Sequence, residues 1–399
     1  MNVAVGNKYQ HDTDFVLTGP FPLRFERSYN SRHARPSTMG AHWRHTYERK
    51  VLVAEHSVCD DGDGESCVRL HLVRADGKEI GTGSAPTEWS VDTVPPGYEW
   101  QLPPYIRGSL TSTREGYRYV TANDEVELYD KRGRLLSVTN REGASHTLHY
   151  DEAGLLVAVE GPTQWSMTFE YDEAGRVSVV RAPGGRLYRY NYDDDGRLVS
   201  VTYPDGSGSS VRKYHYENTD YPTHLTGITD RNGQRFATWS YDDQGRAVSS
   251  EHADGVERYT LDYEYLNDDR DPRVTVTNPH GKQSTLHLAT IHGLRRVTEV
   301  EGHPTEHCAA ANRSYTYTPE GRVASKTDWQ GHTTTYEYND RGLVTRMVEA
   351  AGTSAERVTT KQWHPDFREP VRVTESDRVI DYRYDANGRL IERTVRARP

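Results

Sequence analysis

Only a few clusters in this sequence carry residue types that could do chemistry. His42, Trp43 and His45 sit together in Gly40-Ala41-His42-Trp43-Arg44-His45, and His11 or His71 could approach them in space. Converging imidazoles supported by further hydrogen bonds would make a metal site; ordinary packing and turn roles are the plainer expectation. Asp60-Asp61-Gly62-Asp63-Gly64-Glu65 is acidic and glycine-rich. It lacks the twelve-residue spacing and closing glutamate of a calcium loop, so a solvated hairpin tip is expected. Cys59 and Cys67 flank that tip and would face each other on paired strands. They form a candidate disulfide, with two reduced thiols as the default in a cytosol. Cys308 has no obvious partner. Gly206-Ser207-Gly208-Ser209-Ser210 lacks the Gly-x-Ser-x-Gly spacing of a nucleophile elbow. Carboxylate pairs such as Asp194/Asp195 belong to turn tips, where water screens them and pKa tuning is hard. No phosphate loop, zincin helix or dinucleotide fingerprint is present. The expectation is therefore no catalytic residue, no metal and no cofactor.

The elements that would position any site are set by a tyrosine-glycine cadence. It begins at Tyr129-Asp130-Lys131-Arg132-Gly133-Arg134 and returns at Tyr150/Gly154, Tyr171/Gly175, Tyr192/Gly196, Tyr241/Gly245, Tyr317/Gly321, Tyr338/Gly342 and Tyr384/Gly388. Glycine follows tyrosine by four each time. Gly143, Gly185, Gly206, Gly255, Gly331 and Gly352 come another ten positions on. In the cleanest runs the tyrosines recur every 21 residues (150, 171, 192; then 317, 338). A fixed period near twenty marks a repeat architecture whose units stack on their neighbours.

One unit shows the physics. Leu187-Tyr188-Arg189-Tyr190-Asn191-Tyr192 alternates bulky and polar, as a strand with one covered face does. Asp193-Asp194-Asp195-Gly196 supplies a turn, the glycine taking the positive φ. Arg197 to Thr202 is a second strand, and Tyr203-Pro204-Asp205-Gly206 turns the chain again. Each unit is a two-stranded hairpin. Leu198 and Val201 would lie on opposite faces of a plain strand, so either a bulge intervenes or both faces are partly covered. Arg134, Arg176, Arg197, Arg246, Arg322 and Arg389 follow the turn glycine. They are expected to lay their stems over tyrosine or to pair with a turn aspartate. Between Tyr265 and Tyr317 the cadence decays, Ala289-Thr290-Ile291-His292-Gly293 keeping the glycine only. Trp363 takes a tyrosine position in a unit whose glycine has become Phe367.

Composition agrees. The 399 residues are only 34% hydrophobic, yet include 27 Tyr and 7 Trp, and mean hydropathy is −0.87. A thin sheet tiled with aromatics needs fewer aliphatics than a thick core, and regular strands argue against disorder. Net charge is −10 with the basic residues dispersed, so no surface that tracks phosphates, and no nucleic-acid partner, is expected. No signal peptide is visible at Met1-Asn2-Val3-Ala4-Val5-Gly6, and no apolar run has membrane-spanning length.

Residues 1–115 read differently, as turn-punctuated short strands around Asn2-Val3-Ala4-Val5-Gly6, Thr13-Asp14-Phe15, Gly19-Pro20-Phe21-Pro22-Leu23, Arg27-Ser28-Tyr29-Asn30-Ser31 and His42-Trp43-Arg44-His45. This run resembles the amino-terminal module of Rhs proteins, and the units from Tyr129 onward resemble their YD repeats. Together the resemblances span nearly the whole chain. They imply an all-β fold: a β-rich amino-terminal module over 1–115, then YD-repeat hairpins over 116–399 stacked into a curved open sheet, part of a spiral shell. The last unit, from Tyr384, has Arg398 where its second glycine would fall. The Asp-Pro-rich segment that ends an Rhs core is not in the sequence. Some ten to twelve units are too few to close a cocoon, which leaves open edges prone to association.

The same resemblance implies a function. Rhs shells enclose a carboxy-terminal toxin, and many ride a type VI secretion spike to competing bacteria. On that reading this chain is a non-catalytic segment of the wall, made in the cytoplasm and exported without a signal peptide. Its partners would be a toxin domain, the remaining shell, the spike and an immunity protein. The alternatives are a surface adhesion or carbohydrate-binding module, an enzyme hidden in the amino-terminal module, and an orphan fragment without activity.

Overall fold

The computed structural model describes residues 1–398 apart from 34, 59–65, 87–88, 164, 205–209, 267–270 and 306–309. Cys59, Cys308, the acidic tip and Gly206 lie outside the described residues. Alternating short strands dominate, and the one helical turn among the described residues is Ala253–Gly255. β1 (Tyr9–Val16), β2 (Arg24–Asn30) and β3 (Trp43–His45) make a small antiparallel sheet; β4 (Lys50–Val58), β5 (Ser66–Val73) and β6 (Glu79–Gly81) make another. β7 (Glu99–Trp100), β8 (Ser109–Ser112), β9 (Gly116–Val120) and β10 (Val126–Asp130) then begin a single sheet. It passes from neighbour to neighbour, always antiparallel, to Leu390–Ala397, 27 strands in all. β7 and β8 join it ahead of residue 116, where the repeats were expected to begin. No ladder pairs Leu390–Ala397 with β7 among the described residues, so the sheet is open.

Why hairpins follow one another so regularly is visible at each turn. Gly196 N–H donates to Asp193 O at 2.9 Å, and Asp193 Oδ1 accepts Arg197 N–H at 2.9 Å. Gly196 holds φ at 75°, which an L side chain resists. The bulge that residues 196–201 left open does exist. Tyr192 faces Leu198 and Asn191 faces Ser200, with one residue of the second strand left over. The slip puts Leu198 and Val201 on one face, and both are wholly buried. The same shift recurs beside Tyr129, Tyr150, Tyr171, Tyr241, Tyr317, Tyr338, Trp363 and Tyr384. The decayed stretch solves its turn differently. His292 and Gly293 both take positive φ in a two-residue link between Gln283–Ile291 and Leu294–Gly302.

Turns with Gly133, Gly154, Gly175 and Gly196 form one rim of the sheet, and those with Gly143 and Gly185 the other. The first rim of the last strands returns to the second rim of the early ones. Arg141 reaches Glu369 at 2.7 Å, Arg389 donates to Glu142 O at 2.9 Å, and Arg368 N–H donates to Asp124 at 3.0 Å. The sheet therefore winds back on itself rim to rim.

The main core lies between one face of the early repeats and the amino-terminal sheets. Phe15, Phe25, Trp43 and Leu70 meet Phe169, Tyr188, Tyr190 and Val201 there. A rim glycine tests this seating. Gly133 and Gly175 share φ +74°, but a Cβ on Gly133 would lie 1.7 Å from Val51 O, whereas one on Gly175 would touch nothing within 4 Å. Gly175→Ala should cost about 1 kcal/mol from backbone strain alone. Gly133→Ala should cost about 1–3 kcal/mol more, because β4 must shift. Equal urea midpoints for the two variants would show that β4 does not seat on this turn.

Candidate functional site

The repeat tyrosines act as latches between units. The hydroxyl of Tyr150 donates to Leu135 O at 2.7 Å, that of Tyr171 to Leu156 O and that of Tyr192 to Val177 O, both at 2.8 Å. Tyr241, Tyr317, Tyr338 and Tyr384 do the same to Leu225, Val297, Val323 and Pro370. Tyr216 and Tyr263 are latches that the cadence missed, and the indole of Trp363 performs the task on Val344 O at 2.9 Å. Gly133, Gly154, Gly175, Gly196, Gly245, Gly321, Gly342 and Gly388 all hold positive φ. Arg134, Arg176, Arg197 and Arg246 combine both roles foreseen for them. Each binds the turn aspartate four residues back at 2.6–2.8 Å. Each also lies over an aromatic ring of the next unit: Tyr150, Tyr192, Tyr216 or Tyr263.

Two buried charge clusters fasten the amino-terminal segment to this wall. β1 directs two carboxylates the same way, because Asp12 and Asp14 are two residues apart on one strand. Asp14 accepts Arg27 Nε at 2.7 Å, Tyr190 at 2.7 Å and Tyr203 at 2.8 Å. Asp12 accepts Tyr214 at 2.5 Å and Arg212 at 2.8 Å. Arg27 is wholly buried, with Trp43, Tyr190 and Tyr214 around its guanidinium. Burial opposes its charge, but Asp14 wins and holds it well above the ordinary arginine value. Asp12 is likewise held low: burial works against the carboxylate, and Arg27 and Arg212 outweigh it. Two carboxylates and two guanidiniums leave the cluster neutral, as its depth demands.

The second cluster centres on Glu127, also wholly buried. It accepts Arg49 and Arg74, each at 2.5 Å, and the Tyr129 hydroxyl at 2.5 Å. Tyr129 thus departs from the latch role to join the fastening. Backbone contacts complete the seat: Val177 N–H donates to Thr38 O, Ala247 N–H to Gly6 O and Val51 N–H to Gly133 O, at 2.8–2.9 Å. Lys8 is buried with its ammonium 3.8 Å from the centre of the Trp239 ring. Burial lowers it to about 7, with Asp12 pulling the other way.

The histidines do not converge. His42 bonds His33 O and Thr223, and His45 stacks on Phe25 at 5.2 Å. His11 sits beside Ser28, and His71 beside Glu79. No group of three metal-ligating side chains stands together among the described residues. Cys67 is buried on β5 and disulfide-bonded; Cys59, its expected partner, is not among the described residues. One depression, of about 770 Å³, is lined by Val53, Asp92, Ser112, Thr113, Arg114, Tyr117 and Lys131 among others.

Comparison with known proteins places three stretches. Residues 1–81 match a domain of unknown function, DUF6531; 121–212 match the Teneurin YD-shell; 317–354 match the RHS repeat. No curated protein matches the chain. Among solved structures, TcdB2-TccC3 without its hypervariable C-terminal region is 12% identical over 97% of this chain and 24% of that one, with a TM-score of 0.43. The Photorhabdus luminescens Tc holotoxin pore is 12% identical over 87% and 22%, with a TM-score of 0.32. A porin-like protein from Bacteroides uniformis is 15% identical over 67% and 92%, with a TM-score of 0.16. The chain spans about a quarter of the length of the Tc chains it matches.

The seat should be sensitive to acid in two steps. Burial holds His45, His146 and His224 at about 4, below the ordinary histidine value of about 6.5. Because the folded values are depressed, their contribution is complete above about 6.5 and lost as pH falls toward about 4. For the fully buried His45 this is on the order of 3 kcal/mol. Glu127 is held at about 2, Arg49 and Arg74 outweighing burial. Its contribution is complete above about 4.3 and lost as pH falls through about 2. Urea titrations from pH 8 to 3 should show stability falling below about 6.5, and His45→Phe should shallow that slope. A flat profile between pH 6.5 and 4 would contradict these assignments.

Proposed function

For a chain that is an Rhs-type YD-repeat protein, we propose the role of a non-catalytic wall segment that encloses a toxin domain until delivery to competing bacteria. The observation that carries this reading is the double seat of the amino-terminal segment. A segment that merely decorated the sheet would not bury Arg27 and Glu127 completely. Here it covers the face of the early repeats and bonds to their rim at Gly133, Val177 and Ala247. A sheet wound rim to rim, with one rim occupied by its own amino terminus, has the construction of a container. Sequestration needs no reactive group, only a wall that water-soluble proteases cannot pass. The cytoplasmic origin, the signal-peptide-independent export on a type VI spike, the remaining shell and the immunity protein belong to this proposal, as does the division into a module at 1–115 and repeats at 116–399. No helix is long and apolar enough to cross a membrane among the described residues.

Exposed Trp165 and Trp329 favour a second reading, an adhesion surface on which sugar rings stack. The two readings part experimentally. In a full-length relative carrying this segment, Asp14→Ala should leave Arg27 and Arg212 sharing Asp12 alone, one buried positive charge in excess, at a cost of about 3–5 kcal/mol, and render the enclosed domain protease-accessible. Asp194→Asn, at an exposed turn tip, should leave protection unchanged. Equal cleavage in both variants, or reproducible catalysis by the isolated chain, would end the container reading. Specific glycan binding with no protected domain would replace it with the adhesin.

A further inference from the structure

The face that the amino-terminal segment covers continues, uncovered, into the last strands, and cross-strand register shows what lines it. Tyr315 faces Lys326, Lys326 faces Thr334, Tyr336 faces Met347, Met347 faces Thr359, Lys361 faces Val373, and Tyr382 faces Arg393. Tyr315, Tyr336 and Tyr382 each stand two residues before a latch tyrosine, namely Tyr317, Tyr338 and Tyr384. Tyr190 has the same place before Tyr192. In the covered half, the Tyr190 hydroxyl is spent on Asp14. In the open half, the hydroxyls of Tyr315, Tyr336 and Tyr382 have no hydrogen-bond partner among the described residues.

Charge distinguishes this face from the opposite one. On the opposite face, Arg346 pairs with Glu337 at 3.0 Å, Arg372 with Asp381 at 2.6 Å and Arg383 with Glu392 at 2.8 Å. On the open tyrosine face, Arg313, Lys326, Lys361 and Arg393 have no carboxylate partner among the described residues. Glu349 and Glu375 lie at its turn end and are taken by Arg357 and Arg378. A depression of about 600 Å³ lies within it, bounded by Met347, Thr359, Lys361, Val373, Ile380 and Tyr382, and at its turn end by Glu349, Glu375 and Asp377 with Arg357 and Arg378 beside them.

The molecule itself shows what such a surface holds. Where the face is occupied, tyrosine hydroxyls and Arg212 receive an extended strand, Asp12-Thr13-Asp14, through two carboxylates two residues apart. We infer that the open half of this face is a docking surface for an extended acidic polypeptide segment with carboxylates at alternate positions, supplied by the enclosed protein. This deepens the container reading and rests on it for the source of the segment. Unpaired cations give attraction, and free hydroxyls donate directionally to carboxylate oxygens.

The test uses the intact chain and three fluorescent probes: a peptide of alternating Asp and Thr, its Lys-Thr counterpart, and a single-stranded oligonucleotide of matching charge. The acidic peptide should bind, weaken as salt rises, and lose at least tenfold in affinity with Lys326→Glu/Lys361→Glu. Tyr336→Phe/Tyr382→Phe should cost several-fold while circular dichroism and the urea midpoint stay unchanged. Absence of acidic-peptide binding, equal binding of the basic peptide, tighter binding of the oligonucleotide, or indifference to both double substitutions would overturn the inference. A relative that still protects its enclosed domain while its wall ignores the acidic peptide refutes this inference and spares containment. Acidic-peptide binding without protection supports the docking surface and counts against containment.

Discussion

A one-residue bulge opposite each repeat tyrosine is the constraint on which the rest of this structure hangs. Without it, side chains would alternate strictly, and Leu198 and Val201 would part to opposite faces. With it, tyrosine and aliphatic side chains share one face for unit after unit. The bulge also frees backbone groups from the ladder. The carbonyls of Leu135, Leu156, Val177 and Leu198 each accept the aromatic hydroxyl of the following unit. The freed N–H groups of Val177 and Ala247 are taken by Thr38 and Gly6. One local irregularity therefore joins unit to unit and offers the amino-terminal segment its footholds.

The charge clusters do a different job from the aromatic core. Net stabilisation from a buried ion pair is small, since desolvation offsets most of the attraction, whereas breaking one costs several kcal/mol. Phe15, Phe25 and Trp43 would bury nearly as much area if β1 slid along the wall. Asp14 would not tolerate the slide, because Tyr190, Tyr203 and Arg27 meet it in one geometry only. Apolar burial supplies the affinity of the seat, and the Asp12, Asp14 and Glu127 clusters define its register.

What could be read from the sequence was what recurs at short range. The four-residue step from tyrosine to glycine gives a turn, and alternation gives strands, because both depend on neighbours within a few positions. The bulge was only half legible: Leu198 and Val201 signalled a conflict with a plain strand without saying how it is resolved. Trp363 was recognised as occupying a tyrosine place, yet its indole N–H as a substitute for the hydroxyl needed the three-dimensional register. The seat was invisible. Asp14 lies 176 residues from Tyr190, and Asp12 lies 202 from Tyr214, and no local pattern reports such distances. The histidines misdirected attention for the same reason. His42 and His45 are close in sequence but turn toward different neighbours.

Units of nearly identical text end in different environments, and this separates what the repeat specifies from what occupies it. Tyr188 and Tyr190 are almost fully buried, whereas Tyr336, at the place of Tyr190, is only half-buried. Turn, bulge and latch are the same in both. The difference is the amino-terminal segment over one and not the other. Burial is thus a property of the wall's contents, not of its hairpins, and the same hairpin must be stable wet or covered. Tyrosine meets that requirement where phenylalanine would not: its ring lies against neighbouring strands while its hydroxyl can face water or a carboxylate. A sheet built on tyrosine carries the amino-terminal segment over one half and leaves the other half open with the same turns, bulges and latches.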